Sequence, residues 1–167
     1  MQKGGRLISK VKHVSTILIL SFCFIFLGMN VQAAGPRDGE VVDGSLLTSD
    51  LSAEDSFQVV SRGAILAMGA SQIMNRYSGV IYLSGETFAY QVCDNLKAFV
   101  YLERLEGDDW VPVAQRYYEN ENSNALSDGV YLTVAKNYYY RVRGYHAAFK
   151  GSIAESDSTR TKGIYIE

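Results

Sequence analysis

Apolar positions come in short runs that alternate with polar ones from about residue 58 onward, with turn residues between the runs. The clearest run is 96–105. Leu96, Ala98, Val100 and Leu102 fall on one side of it and Lys97, Tyr101 and Glu103 on the other, the period of two that marks a half-buried strand. Gly107-Asp108-Asp109 supplies a turn, and 110–118 returns as a hairpin partner. Further strands are expected over 57–68, 79–83 and 88–93, the last either separate or a continuation past Gly85. Others are expected over 129–135, where Val130, Leu132 and Val134 alternate, over 138–149, and over 153–167 after a turn at Lys150-Gly151-Ser152. Residues 119–124 read as a polar loop. No stretch holds a helical period over ten or more residues, so the pattern predicts an all-β sandwich or barrel over 58–167.

The N-terminal part has a different texture. Residues 34–57 are rich in Gly, Asp, Ser and Ala, and read as a flexible leader with a short helical turn near Ser52-Ala53-Glu54-Asp55. Residues 1–33 read as an export signal: Lys3, Arg6, Lys10 and Lys12 precede a mostly apolar run over 14–27, and Val31-Gln32-Ala33 puts small residues where signal peptidase reads them. The apolar run is shorter than the ~20 residues a spanning helix needs. A lipid attachment site at Cys23 is disfavoured because the preceding Phe22 is large. The mature chain is then expected to be secreted, extracellular and not held to a membrane.

Removal of the signal leaves 12 Lys and Arg against 18 Asp and Glu, a net charge of −6. An acidic domain without a basic stripe is a poor fit to nucleic acid or to an anionic membrane surface. Cys93 becomes the one remaining thiol and His146 the one remaining histidine. Cys93 reads as a partly buried small apolar residue, with an intermolecular disulfide as the alternative. A single Cys and a single His make no zinc set, and no turn or oxyanion donor is recognisable beside them for nucleophilic catalysis. His146 is expected to face solvent or to pack beside Tyr145. No phosphate-cradling Gly-rich loop or ordered calcium loop is present, so no enzyme activity, metal or cofactor is expected; the alternative is a small secreted enzyme or effector whose site the sequence does not display.

All 12 tyrosines lie beyond residue 33. In 138–149, Tyr138, Tyr140 and Val142 share one face, read as core, and Tyr139, Arg141, Arg143 and Tyr145 share the other. With Tyr101 and Glu103 across from Arg141 and Arg143, that second face is expected to be open to solvent. It is either a cross-strand ladder or a binding face for an extracellular protein or glycan, with Trp110, Tyr117 and Tyr118 as further candidates.

Tyr138-Tyr139-Tyr140-Arg141-Val142-Arg143-Gly144 resembles the sixth strand of fibronectin type III domains, and Leu132 lies six residues before Tyr138 as that family's corner leucine does. The resemblance covers about 96–167. It implies an immunoglobulin-like antiparallel β-sandwich of about seven strands, with Tyr138 buried as a tyrosine corner. The first half lacks that family's tryptophan, and Trp110 sits in the middle hairpin instead. Gly79 to Ala89, Tyr101-Leu102-Glu103-Arg104, Tyr140 to His146 and Thr161 to Ile166 also resemble a family of small exported proteins of uncharacterised function from Gram-positive gut bacteria. The N-terminal leader shares in that resemblance, which supplies no function because the family has no established activity. Protein recovered from the medium should begin at Ala34 or Gly35, and mass spectrometry showing an intact Met1 on the exported chain would contradict the signal reading.

Overall fold

A computed structural model describes residues 34–61 and 64–167. The expected export signal and its cleavage site, with Arg62 and Gly63, lie outside the described residues. The described chain is all-β, with no helix among these residues. Its strands are β1 (Val41–Val42), β2 (Ser45–Thr48), β3 (Ser52–Gln58), β4 (Leu66–Tyr77), β5 (Val80–Glu106), β6 (Asp109–Thr133), β7 (Tyr138–Lys150), β8 (Ile153–Arg160) and β9 (Gly163–Ile166). They join one mixed sheet in the order β1-β2-β9-β7-β5-β4-β3, with β6 added on β5 and β8 on β7. Only β2 and β9 run parallel among the pairings. The sheet curls into a half-barrel.

β5 organises this curl. β6 follows one side of it for most of its length, while its other side takes β4 over 80–89 and β7 over 95–104. Between Phe88 and Cys93 its register against β6 shifts, and a bulge of this kind bends a strand. The two halves then face each other. At Gly85 a Cβ would fall 2.5 Å from Val100 Cγ2, so the absent side chain is what lets the layers close. Two facing sheets of about seven strands were expected. Instead the layers belong to one sheet, because β5 and β6 pass between them unbroken. The expected strands at 79–83, 88–93 and 96–105 are all β5, and the expected loop at 119–124 lies within β6.

The interior holds Ile73, Ile81, Leu83, Val100, Leu102, Tyr140, Val142, Ile164 and Ile166, with Leu66, Leu96, Cys93 and Leu126 in a second cluster. The inward set read from the alternation of 96–102 is buried as expected. The run 57–68 is not one strand: β3 ends at Gln58, and Val60 in the connection is exposed. The sequence pattern predicts no strand over 69–77, where β4 runs. Small residues give that stretch little strand signal, and the structure explains them, since a Cβ on Gly69 would lie 2.5 Å from both His146 Cγ and Phe57 Cε1.

Residues 34–57 carry β1, β2 and most of β3 rather than a leader with a helical turn. Asp43 and Gly44 both have positive φ (44° and 72°) between the paired Val42 and Ser45, the two-residue hairpin turn that Asp-Gly favours. The corner tyrosine is also displaced. Tyr138 is 39% exposed, whereas Tyr140 is buried and donates its hydroxyl to the Ala135 carbonyl at 2.8 Å. Val134, six residues before Tyr140, and Leu132, six before Tyr138, both pack on the core.

His146 points inward and is fully buried, not solvent-facing. Thr87 donates its proton to the Lys97 carbonyl, so its oxygen can only accept from the ring, which places the ring proton on Nδ1. Nε2 then accepts from the Ser71 hydroxyl at 3.3 Å, which itself accepts from Thr159 at 2.7 Å; Thr159 Oγ1 lies 3.0 Å from the same nitrogen, and the Phe57 ring closes the pocket edge-on. Burial pushes the imidazole pKa down to about 4, against weaker pulls upward from the Glu86 backbone, Asp157 and Asp55. The unfolded chain therefore takes up a proton near pH 6.5 that the folded chain refuses until about pH 4. Stability should be complete above pH 6.5 and fall by about 3 kcal/mol as the pH drops towards 4. Urea unfolding across that range should show the slope, and His146→Gln should flatten it. A wild-type unfolding free energy that stays level from pH 7 to 4.5 would contradict the assignment.

Candidate functional site

The convex outer face of β6, β5 and β7 is built in cross-strand rows. Register aligns Glu119, Lys97 and Ala147; then Tyr117, Phe99 and Tyr145; then Gln115, Tyr101 and Arg143; then Pro112, Glu103 and Arg141. The period of two that buries Ala98, Val100 and Leu102 turns all of these side chains outward. The expected face thus exists as a geometric unit, but its two ends meet different environments.

At one end the N-terminal segment lies across the sheet. Val42 and Leu47 pack with Leu105 and Tyr139, and Trp110 and Tyr165 border them. Tyr139 is 3% exposed, and its hydroxyl donates to Asp38 Oδ1 at 2.6 Å and accepts from the Arg37 amide at 3.0 Å. Burial, and then the bond to Asp38, push the Tyr139 pKa up. Burial acts to raise the Asp38 carboxyl, but hydrogen bonds from Ser49, Tyr139 and Gly35 outweigh it and hold the carboxyl below its usual range. Arg37 reaches from this segment to the Gly107 carbonyl and to Asp108 in the β5–β6 turn.

Beneath this cover lies a charge network. Glu103 and Arg141 are 4% and 3% exposed, not open to solvent as expected. Glu103 accepts from Arg141 Nε at 2.7 Å and from Arg143 Nε at 2.9 Å. Arg141 also donates from Nη1 to Ser45 Oγ and the Asp43 carbonyl and from Nη2 to Asp43 Oδ2. Its guanidinium carbon stacks 4.4 Å from the Trp110 ring, whose Nε1 donates to the Val42 carbonyl. The bond from Arg141, helped by Arg160, holds the Asp43 carboxyl below its usual range. Tyr139, Glu103, Arg141 and Trp110 are therefore structural clamps for the N-terminal hairpin.

The other end is open. Phe99 sits between Tyr117 and Tyr145, with ring centroids 4.7 and 6.2 Å away, and the two tyrosines are 46% and 41% exposed. Lys97 Nζ lies 5.9 Å from the Tyr117 ring and 5.3 Å from the Phe149 ring. Arg143 lies over the Tyr101 ring at 4.5 Å, and the pair borders a depression of 420 Å³ with Pro112, Val113, Ala114 and Gln115. Of the expected site residues, Tyr101, Arg143 and Tyr145 come together here, joined by Tyr117. Phe99 and Lys97 complete the group; strand parity already places Phe99 beside Tyr101. Tyr118 turns to the core side instead.

Cys93 is buried among Ile65, Leu66, Leu96, Leu126 and Ala148, its Sγ donates to the Gln91 carbonyl, and burial pushes its thiol pKa up. That leaves it neither thiolate character nor a route to an intermolecular bridge. No group of three or more His, Cys, Asp or Glu side chains is placed to hold a metal among the described residues.

These features define an all-β half-barrel whose N-terminal hairpin seals one half of the outer sheet face and leaves the other half open. The chain belongs to the family described as a family of unknown function (DUF6147), whose model matches residues 37–163 and so includes that hairpin. No curated protein matches the chain.

Breaking a buried ion pair from one side strands a charge. Glu103→Ala should therefore cost about 3–5 kcal/mol in urea unfolding, because it removes the one buried carboxylate that Arg141 pairs with and leaves it only the exposed Asp43. Asp43→Asn, at the exposed end of the same network, should shift the midpoint far less. Equal losses for the two variants would show that the pair is not the clamp described here.

Proposed function

We propose that this protein is an exported, non-catalytic interaction module that captures an extracellular glycan or protein on the open half of its outer sheet face. One observation carries the reading: the row Tyr117–Phe99–Tyr145 spans three strands, flanked by Lys97 and by Tyr101 with Arg143, and stays open while the adjoining half is sealed. Aromatic rings held by a rigid sheet offer contact area at little entropic cost, and arginine adds directional donors. The reading as a non-enzyme is supported by the placement of His146 and Cys93, which are buried in separate parts of the core. Export rests on the basic, apolar, small-residue order of residues 1–33. The likeness to immunoglobulin-like modules rests on the corner bond of Tyr140; the unbroken passage of β5 and β6 between layers is where this chain departs from two separate sheets.

The test is a double variant, Tyr117→Ala with Tyr145→Ala. Both side chains are exposed strand positions, so the fold should keep its denaturation midpoint within about 1 kcal/mol. Ligands found with wild-type protein on a glycan array, or on a panel of purified extracellular proteins, should lose at least about tenfold in affinity, or ~1.4 kcal/mol. Unchanged affinity in a folded double variant would remove the site from this face.

A further inference from the structure

We propose that the depression between Tyr101 and Arg143 is a subsite for a carboxylate-bearing sugar, so that the ligand of the face described above is an acidic glycan. The inference rests on the interaction-module reading and specifies its ligand class. Three observations converge on it. First, Arg143 uses only Nε within the protein, on Glu103, and lays its guanidinium on the Tyr101 ring. Its Nη1 and Nη2 have no hydrogen-bond partner among the described residues, and the side chain is 39% exposed at the rim of the depression. A planar fork with two free donors, fixed by a stack on one side and an ion pair on the other, is pre-organised for a carboxylate.

Second, the network is not neutral. In its side-chain ion pairs three arginines, Arg141, Arg143 and Arg160, share two carboxylates, Glu103 and Asp43, an excess of one positive charge; Asp55 binds the Arg160 backbone amide rather than a guanidinium. Arg141 is buried and bonded through Nε, Nη1 and Nη2, which leaves the surplus on the outer arginines. Arg143 and Arg160 stand directly opposite each other on β7 and β8, like charges that Glu103 and the more distant Asp43 offset only in part. This local surplus lies on a domain that is acidic as a whole, so it is not a general basic surface.

Third, the shape suits a sugar. The depression has 420 Å³, an apolar lining from Pro112, Val113 and Ala114, and the Tyr101 ring at its edge. The next row of the sheet continues it as the Tyr117–Phe99–Tyr145 platform. A pyranose can set its C–H face on such a surface while its carboxylate meets the guanidinium. Small ligands are typically held by this combination of apolar lining and a few fixed polar groups.

The experiment is calorimetric titration of the folded exported chain with three probes of equal length: a galacturonic acid tetrasaccharide, a neutral galactose tetrasaccharide and a tetraglutamate peptide. The acidic sugar should bind, and the other two should bind at least about tenfold more weakly. Arg143→Gln should remove that preference, and Arg143→Lys should retain part of it, because the charge stays and the fork is lost. Circular dichroism should be unchanged, since Glu103 keeps Arg141; should Arg143→Gln fail to fold, Tyr101→Ala provides the same reading from the other side of the notch. Equal binding of the neutral sugar, stronger binding of the peptide, an acidic-sugar affinity indifferent to Arg143, or no binding of the acidic sugar would each overturn the proposal. Neutral-sugar binding that depends on Tyr117 and Tyr145 but not on Arg143 would do so while leaving the interaction-module reading intact.

Discussion

The buried pair between Glu103 and Arg141 is the contact around which the outer face is arranged. Two charges removed from water repay their desolvation only when every donor and acceptor is used. Arg141 comes close to that condition, with four of its five donors bonded, because Ser45 and Asp43 arrive from the β1–β2 hairpin and Trp110 covers the guanidinium plane. The hairpin in turn has few apolar side chains, mainly Val42 and Leu47, and little area with which to hold itself down. Pair and cover are thus mutually dependent: the cover completes the solvation of the pair, and the pair gives the cover a specific seat. This accounts for residues with a leader-like composition ending up as part of the sheet.

The interior solves a related problem with neutral groups. His146 sits where the two layers approach each other across Gly69 and Gly144, and its two ring nitrogens are matched by three hydroxyls. With no carboxylate among those partners, burial favours the uncharged ring. A satisfied polar group inside a curled sheet specifies register more sharply than another aliphatic side chain would, since a one-residue slip of β7 would send it to the other face.

The division of the outer face into sealed and open halves follows from the length of the N-terminal segment. β2 joins the sheet beside β9, which pairs with only the first residues of β7. The cover therefore ends near Arg141, and the rows at Tyr101 and Phe99 remain uncovered. Arg143 stands at the boundary. It shares Glu103 with the sealed half and Tyr101 with the open half, which links the solvent-facing notch to the buried charge pair.

Much of this was legible in the sequence, and the limits have physical causes. The period of two over 96–105 and 138–149 gave the all-β class, the inward set Leu96, Ala98, Val100 and Leu102, and the set of residues sharing the outer face. Asp43-Gly44 carried a hairpin signal that the Gly- and Asp-rich composition around it obscured. Alternation reports which side of a strand a residue occupies, but it does not report what lies on that side. Whether Tyr139, Arg141 and Glu103 met water or a hairpin from nearly 100 residues earlier was decided only by tertiary packing. So was the shift of the corner bond from Tyr138 to Tyr140, which have the same parity and differ only in where β7 enters the sheet. The merging of three expected strands into β5 was likewise decided there, because a bulge and a glycine that let one strand bend across two layers look, in sequence, like the turns that would end it.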